Sequence, residues 1–202
     1  MKKTIAEKEH IKSSIENAAI NLFLTYGYKE TSVRAIAAEA DMTNGNIYFY
    51  FKSKEEIYSD IVSPAWEIIK ELISSGQELI LHTGELDPAV LEHNYKKAAA
   101  VFKQYRFNIL VLFIHNEGTA YTNVREQMLG SLTEKIQKIA NTLAHSAGKK
   151  ITKEQFYFRL LAVYWVEGFL EIVRYFKDEN WAAQMLHDYV QVIFSAVELS
   201  FE

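Results

Sequence analysis

Between Thr31 and Lys54 the chain collects side chains that suit hydrogen bonding to phosphates and base edges. Arg34 is the residue type that pairs with guanine, and Asn44 and Asn46 are the type that pairs with adenine. The hydroxyls of Thr31, Ser32 and Thr43 fall at or near expected helix N-termini, where hydroxyls and free N–H groups meet phosphates. Tyr48 and Tyr50 can donate O–H bonds to phosphate, and an aromatic such as Phe49 can touch a thymine methyl. Lys54 can neutralise one more phosphate, and Gly45 has no side chain to hold a backbone away. Each residue also has a plainer reading. Tyr48 can be half-buried packing, Asn46 can bond its own backbone, and Ile47 with Phe51 suits a core.

These roles require the right elements beneath them. The stretch "NGNIYFYF", Asn44–Phe51, is ambiguous because Asn-Gly before aromatics is also a hairpin signal. A hairpin needs a strand on both sides, yet the preceding segment is Ala-rich with no β-branched run. On a helix, Ile47 and Phe51 face one core while Tyr48 and Tyr50 turn away and Phe49 lies at an edge. The helix is the better reading. Before it, Ile11, Ile15, Ala18, Ala19, Leu22 and Phe23 recur at helical spacing and predict a helix over 5–26, ended by Gly27. A second, short helix is expected from Thr31 or Ser32, with Val33, Ile36, Ala37 and Ala40 inward and Asp41–Met42 turning the chain. Ser53 and Glu56 form a capping box for a long helix to about His82, with a kink or break expected near Ser63–Pro64. Asp87 and Pro88 then open the next helix. Helices follow at about 88–105, 106–116, 120–145, 153–177 and 181–201, with Thr152 and Gln155 as a further capping box.

Composition agrees with an all-α fold. Apolar residues make up 49% of the 202, Pro numbers only 2 and Gly 8, so a turn-dense β fold is disfavoured. With no Cys, cysteine-ligated metals and disulfides are excluded, and the chain suits a reducing cytoplasm. The charged N-terminus lacks a signal-peptide core. Phe156–Phe176, the most apolar stretch, contains Arg159, Glu167, Glu171 and Arg174 and reads as a buried helix. The net charge of −4 does not itself suggest nucleic acid. Residues 1–55 hold eight Lys/Arg against seven Asp/Glu, and the rest fourteen against nineteen.

Three short helices, a tight turn between the second and third, and a long fourth helix make a helix-turn-helix layout. Leu22-Phe23, Gly27-Tyr28, Thr31-Ser32-Val33, Ile36-Ala37, Gly45, Ile47-Tyr48, Tyr50-Phe51 and Ser53-Lys54-Glu55 resemble the DNA-binding domain of TetR-type (tetracycline-repressor-like) regulators. The resemblance covers about residues 10–58. It implies a helix-turn-helix DNA-binding domain over 1–53 and a helical ligand-binding and dimerisation domain over 54–202. It also implies a homodimeric repressor on a palindromic double-stranded operator, released by a small molecule. Family members often carry a basic or polar residue where Asn44 stands, so Arg34 and Lys54 remain the main charges and a modest salt dependence is expected.

The resemblance further implies a dimer bundle from the last two helices. Trp165, Gly168, Phe169, Ile172, Met185, Tyr189, Val192, Ile193 and Ala196 are its candidates, with Gly168 permitting close helix approach. The alternative is that Phe156–Phe176 is simply a central core helix. A pocket for an apolar or aromatic effector has candidate walls in Trp66, Tyr95, Phe102, Tyr105, Phe113, Tyr121 and Tyr164, although any one of these rings can be core. His115, Asn116 and Glu117 cluster at an expected helix end and could orient a ligand or hold a metal. No metal-binding spacing, phosphate loop or nucleophile–base pair supports an enzyme, and no cofactor is implied. A helix-turn-helix adaptor that binds protein rather than DNA remains the alternative, given the near-neutral N-terminal charge.

Overall fold

The computed structural model describes residues 4–83, 88–114 and 116–202, and leaves aside the side chains of 75–83 and 88. Its described elements are eight helices: α1 Ile5–Glu30, α2 Val33–Glu39, α3 Asn44–Tyr50, α4 Lys54–Thr83, α5 Pro88–Phe113, α6 Val124–Ser146, α7 Gln155–Arg174 and α8 Glu179–Glu198. The all-α expectation holds. The single β feature among the described residues is an isolated antiparallel bridge between Ile151 and Phe201. No described helix is long and apolar enough to cross a membrane.

The chain divides into two compact units. One comprises Met1–Glu67 with Phe107–Asn123, the other Ile68–Arg106 with Val124–Glu202. The first turns of α4 belong to the N-terminal unit. Ile57, Tyr58, Ile61 and Val62 are buried there. The Tyr58 O–H donates to the Val111 carbonyl at 3.0 Å, and Asn108 Nδ2 donates to the Ile61 carbonyl at 2.9 Å. That second bond lies in the turn that Pro64 leaves one backbone donor short. The predicted break does not occur, since α4 is continuous through Pro64.

In the first unit, α1 bends at Gly27, whose φ of 83° favours glycine. The bend places Tyr28 against Phe23 and Tyr58, with ring centroids 5.1 to 5.8 Å apart. Ser32 caps α2 by accepting from the Ala35 N–H, and Thr43 caps α3 by accepting from the Asn46 N–H. The α2 end is a Schellman closure: Met42 N–H donates to the Ala37 carbonyl and Asp41 N–H to that of Ala38. Asp41 occupies the left-handed position at φ 53°, where glycine is usual.

In the second unit, α6, α7 and α8 pack around Met128, Ile136, Phe158, Val166, Val173 and Leu186, all buried. The boundary expected between 105 and 106 is absent, because 88–113 is one helix. Arg106 is there for a neighbour: its guanidinium donates to the Val173 and Arg174 carbonyls at the C-terminus of α7. Thr152 does not cap α7. Glu154 holds the cap position with no side-chain bond, while the Thr152 hydroxyl donates to the Ser200 carbonyl. Asp178 caps α8 instead, accepting from the Trp181 N–H at 2.9 Å. Asp87 and His115 lie outside the described residues.

Candidate nucleic-acid interface and apolar cavity

The hairpin alternative for Asn44–Tyr50 is settled by the structure, in which this segment is α3. Ile47 is fully buried and anchors the helix, with Phe51 buried just after it. Rotation at 100° per residue then turns the rest of α3 outward. Thr43, Asn44, Gly45, Asn46, Tyr48 and Phe49 are all exposed. Phe49 is 71% exposed and packs edge-on against Tyr50 at 5.1 Å. An apolar ring this open on a short helix contributes little to the core that holds α3. Arg34 and Ser32 are exposed on α2 and at its start. The face is thus polar and aromatic, mounted on a core of Ile15, Ala19, Phe23, Ile36, Ala37 and Ile47.

Gly45 stands on this face with open space around it. A Cβ built there would meet only the Thr43 hydroxyl oxygen, at 3.9 Å. Nothing inside the chain therefore requires glycine at this position.

Two residues take other places than the sequence suggests. Thr31 is 3% exposed and its hydroxyl donates to the Gly27 carbonyl at 2.8 Å, so it seals the end of α1 and does not present a hydroxyl outward. Lys54, expected at a phosphate, instead donates from its ammonium to the carbonyls of Tyr28 at 2.6 Å and Thr31 at 2.8 Å. It also lies 4.1 Å over the Tyr28 ring. Partial burial lowers the Lys54 pKa, against the opposite pull of Glu30 and Glu55. Lysine at a helix start is explained by these carbonyls, which are the orphan acceptors of the α1 C-terminus. The Tyr28 O–H completes the clamp by donating to the Glu55 carboxylate at 2.7 Å, and burial pushes the phenol up to about 12. Lys52, a cation that periodicity and capping do not single out, is exposed just beyond α3.

The second unit carries a partly open cavity of about 200 Å³. Of the expected pocket rings, Tyr95 and Phe102 line it, while Trp66, Tyr105, Phe113, Tyr121 and Tyr164 do not. Trp66, Phe113 and Tyr121 belong to the first unit. Trp165, Phe169 and Ile193, expected at a dimer interface, line the cavity as well. Most of the remaining wall is aliphatic, including Ile69, Leu72, Ile139 and Val190, which a search for rings passes over.

The other interface candidates also divide. Ile172 is buried in its own chain, as are Phe169 and Ile193. Gly168 serves its own subunit: a methyl group there would overlap the Tyr189 ring, whose O–H donates to the Tyr164 carbonyl. Trp165, Met185 and Ala196 are half-buried, and Val192 is 54% exposed. The open apolar stripe on α7 is Phe156, Leu160 and Tyr164, one helical turn apart, at 66%, 50% and 45% exposure.

The Asn116 side chain is structural, since its amide donates to the Leu112 and Tyr121 carbonyls. Glu117 is exposed, and no group of three metal-ligating side chains occurs among the described residues.

Comparison with known proteins gives a consistent family. Residues 15–61 match the model for bacterial regulatory proteins, tetR family. The chain is 36% identical over 67 residues to the HTH-type transcriptional regulator AcrR of Shigella flexneri, covering 33% of this chain and 29% of that one. It is 27% identical over 138 residues to the HTH-type transcriptional repressor BepR of Brucella suis biovar 1 (strain 1330), covering 66% and 63%. The matches thus span less than two thirds of these relatives' length. A solved structure of AibR in complex with isovaleryl coenzyme A and operator DNA shares the fold, with a TM-score of 0.53 at 19% identity over 87% of this chain and 96% of that one.

Proposed function

We propose that this chain, a member of the TetR family of bacterial regulatory proteins, is a repressor that binds a palindromic operator as a homodimer and is released by a small molecule. The observation that carries the reading is the outer face of α3. Of the seven residues from Thr43 to Phe49, six are exposed and one, Ile47, is buried. A core rarely turns a helix outward with this much hydrogen-bonding and aromatic surface unless the surface meets something. In this reading Asn44, Asn46 and Arg34 meet base edges. Ser32, Thr43, Tyr48 and Tyr50 meet phosphates, Phe49 meets a thymine methyl, and Gly45 lets the backbone close on the duplex. Thr31 and Lys54 position the reader from behind.

A single seven-residue helix spans few base pairs, so two copies related by a two-fold axis would read half-sites about one helical turn apart. Phe156, Leu160 and Tyr164 on α7, with Val192 on α8, offer the apolar surface for that pairing. BepR is named as a repressor, which supports repression here. AibR was solved with both an acyl coenzyme A and operator DNA, which supports an effector. The cavity lies in the second unit, and Ile69, Leu72 and Ile73 of its wall belong to α4. The same helix, nearer its start, carries the Lys54 and Tyr58 contacts that hold the reader. Occupation of the cavity would act on the reader through α4, in the cytoplasm where the operator is found.

The test is selection of bound sequences from a random duplex pool at two salt concentrations. Recovery of a palindrome with salt-dependent affinity is expected. No enrichment at either salt would overturn operator binding and leave the protein-binding adaptor as the better reading.

A further inference from the structure

No residue of α3, Asn44–Tyr50, is charged. The helix therefore holds no Arg or Lys to pair bidentate with guanine, and no Asp or Glu to accept from the cytosine amino group. The exposed cations nearest to it in sequence, Arg34 and Lys52, stand on α2 and beyond the end of α3. The nearest acids, Glu39 and Asp41, border a polar groove against His10, Ser13 and Asn17 of α1. What α3 itself presents is two carboxamides and three rings.

Ile47 fixes which of these face outward. It is fully buried, and at about 100° per residue the direction opposite to it runs between Gly45 and Phe49. Phe49 is held edge-on by Tyr50, and its ring has no hydrogen bond to offer. Asn46 precedes Phe49 by three positions, so the two side chains are neighbours, about 60° apart around the helix axis. Asn46 is exposed, and among the described residues no hydrogen bond within the chain engages its side chain; Thr43 caps only its backbone N–H. This removes the reading in which the Asn46 carboxamide merely bonds its own backbone. Asn44 lies on the other flank, with Tyr48 four positions on.

One kind of base pair answers both Asn46 and Phe49. In the major groove adenine offers the N7 acceptor and N6 donor that a carboxamide matches, and thymine alone carries a methyl group. A G·C pair gives Phe49 no methyl, and guanine sets two acceptors against a side chain with one donor and one acceptor end. The two positions are separated by a rise of about 4.5 Å along α3, against about 3.4 Å between successive base pairs. Adjacent base pairs are thus within reach of the two side chains.

We propose that α3 reads two adjacent A·T pairs in each half-site, Asn46 pairing with the adenine of one and Phe49 covering the thymine methyl of its neighbour. Guanine, where it is read, falls to Arg34 on α2. This rests on the operator reading above and gives the operator a base class.

Fluorescence anisotropy with modified duplexes tests the assignment. The starting duplex is the sequence recovered by selection, and each A·T pair of a half-site is altered in turn. Uracil in place of thymine removes the methyl, and 7-deazaadenine in place of adenine removes the N7 acceptor. The expected half-site contains adjacent A·T pairs. At one of them uracil weakens the unsubstituted protein about fourfold, the effect of burying one small apolar group. At its neighbour 7-deazaadenine weakens it about fivefold, the lower end for a bidentate contact. Phe49→Ala abolishes the first loss and leaves the second, and Asn46→Ala does the reverse. A selected half-site without adjacent A·T pairs overturns the proposal, as do modifications that cost nothing at any position. So do losses that persist in both variants. The modified duplexes on the unsubstituted protein decide the matter even if a variant misfolds. A palindrome whose fixed positions are all G·C keeps the operator reading while overturning the A·T assignment. Absence of any enriched sequence overturns the operator reading itself, and the assignment with it.

Discussion

Gly45→Ala separates fold from function because its two effects should have opposite signs. A methyl group at this position meets only the Thr43 hydroxyl oxygen at 3.9 Å, an ordinary van der Waals distance. Replacing glycine by alanine in a helix is favourable by about 0.5–1 kcal/mol. The first turn of a seven-residue helix lies toward the low end of that range. The folded protein should therefore become slightly more stable. On DNA the methyl would stand between the α3 backbone and the duplex. Loss of one charge-assisted hydrogen bond to phosphate costs about 1.5–3 kcal/mol. That is roughly 10- to 150-fold per reader, since 1.4 kcal/mol is tenfold. Urea denaturation reads the first effect, and fluorescence anisotropy on a selected operator at several salt concentrations reads the second. The slope of log affinity against log salt should stay nearly unchanged, because it counts phosphates neutralised by cations and Gly45 carries none. Gly130→Ala is the internal control: it sits within α6 with nothing within 4 Å of the added Cβ, so it should stabilise and leave DNA affinity unchanged. A Gly45→Ala protein that gains stability and binds the operator as before would refute the docking role of α3's outer face.

Asp41→Gly should stabilise by about 1 kcal/mol in urea, because the native φ of 53° strains a residue with a Cβ. It should also tighten operator binding by removing an acid from the turn before α3; unchanged stability would refute the strain. Lys54→Met should destabilise by about 2 kcal/mol through loss of the Tyr28 and Thr31 carbonyl bonds. Its salt slope on DNA should match the unsubstituted protein, and a shallower slope would restore Lys54 as a phosphate ligand. Gly168→Ala should cost about 1–3 kcal/mol by forcing Tyr189 out of its place between α7 and α8, with a lowered thermal midpoint as the readout. Pro64→Ala should return a backbone donor to α4 and raise the thermal midpoint. If this turn is where α4 flexes, operator affinity or effector response will change as well, and neither changing would count against a hinge there.

The reader is legible in the sequence because its determinants are local. Periodicity places Ile36 and Ile47 inward and Ser32 and Thr43 are capping types, whereas Gly27, expected to end α1, instead bends it and the helix runs on to Glu30. The fate of Lys54 is not legible, because its partners lie across the fold, whereas Thr31 bonds only four residues back, to the Gly27 carbonyl. Periodicity cannot show that α1 ends with carbonyls facing the start of α4. The same limit applies to Arg106, which stands at an expected helix boundary but serves the end of α7. In the second unit the helices can be counted roughly, but not which faces meet. Trp165 and Phe169 lie one turn apart on α7 with stacked rings, and an apolar helix offers several such faces. The stripe that remains open, Phe156–Leu160–Tyr164, lies on the same helix, and only packing distinguishes it from the face that is buried.

Cavity size bears on whether a ligand that fits about 200 Å³ can control a DNA reader. A ligand moves a conformational equilibrium only by its difference in affinity for the two states. Allosteric couplings are ordinarily about 1–3 kcal/mol, or 5- to 150-fold. A molecule of about ten non-hydrogen atoms can bind with roughly 0.3–1.5 kcal/mol per atom. Even the lower figure yields about 3 kcal/mol in total, so the required coupling is within reach provided most of the binding energy differs between states. The wall is arranged for that condition. Ile69, Leu72 and Ile73 present α4 to the cavity, and the buried positions Ile57, Ile61, Ala65 and Ile69 continue the same helical spacing back to the reader. A ligand touching the far end of this stripe is held more or less tightly as α4 shifts, whereas one confined to α6 and α8 would bind both states alike. In the proposed reading the α4 wall residues are where effector affinity and operator release would be linked, and Leu72 and Ile73, lining the cavity without full burial, can be changed in size with least disturbance to the core.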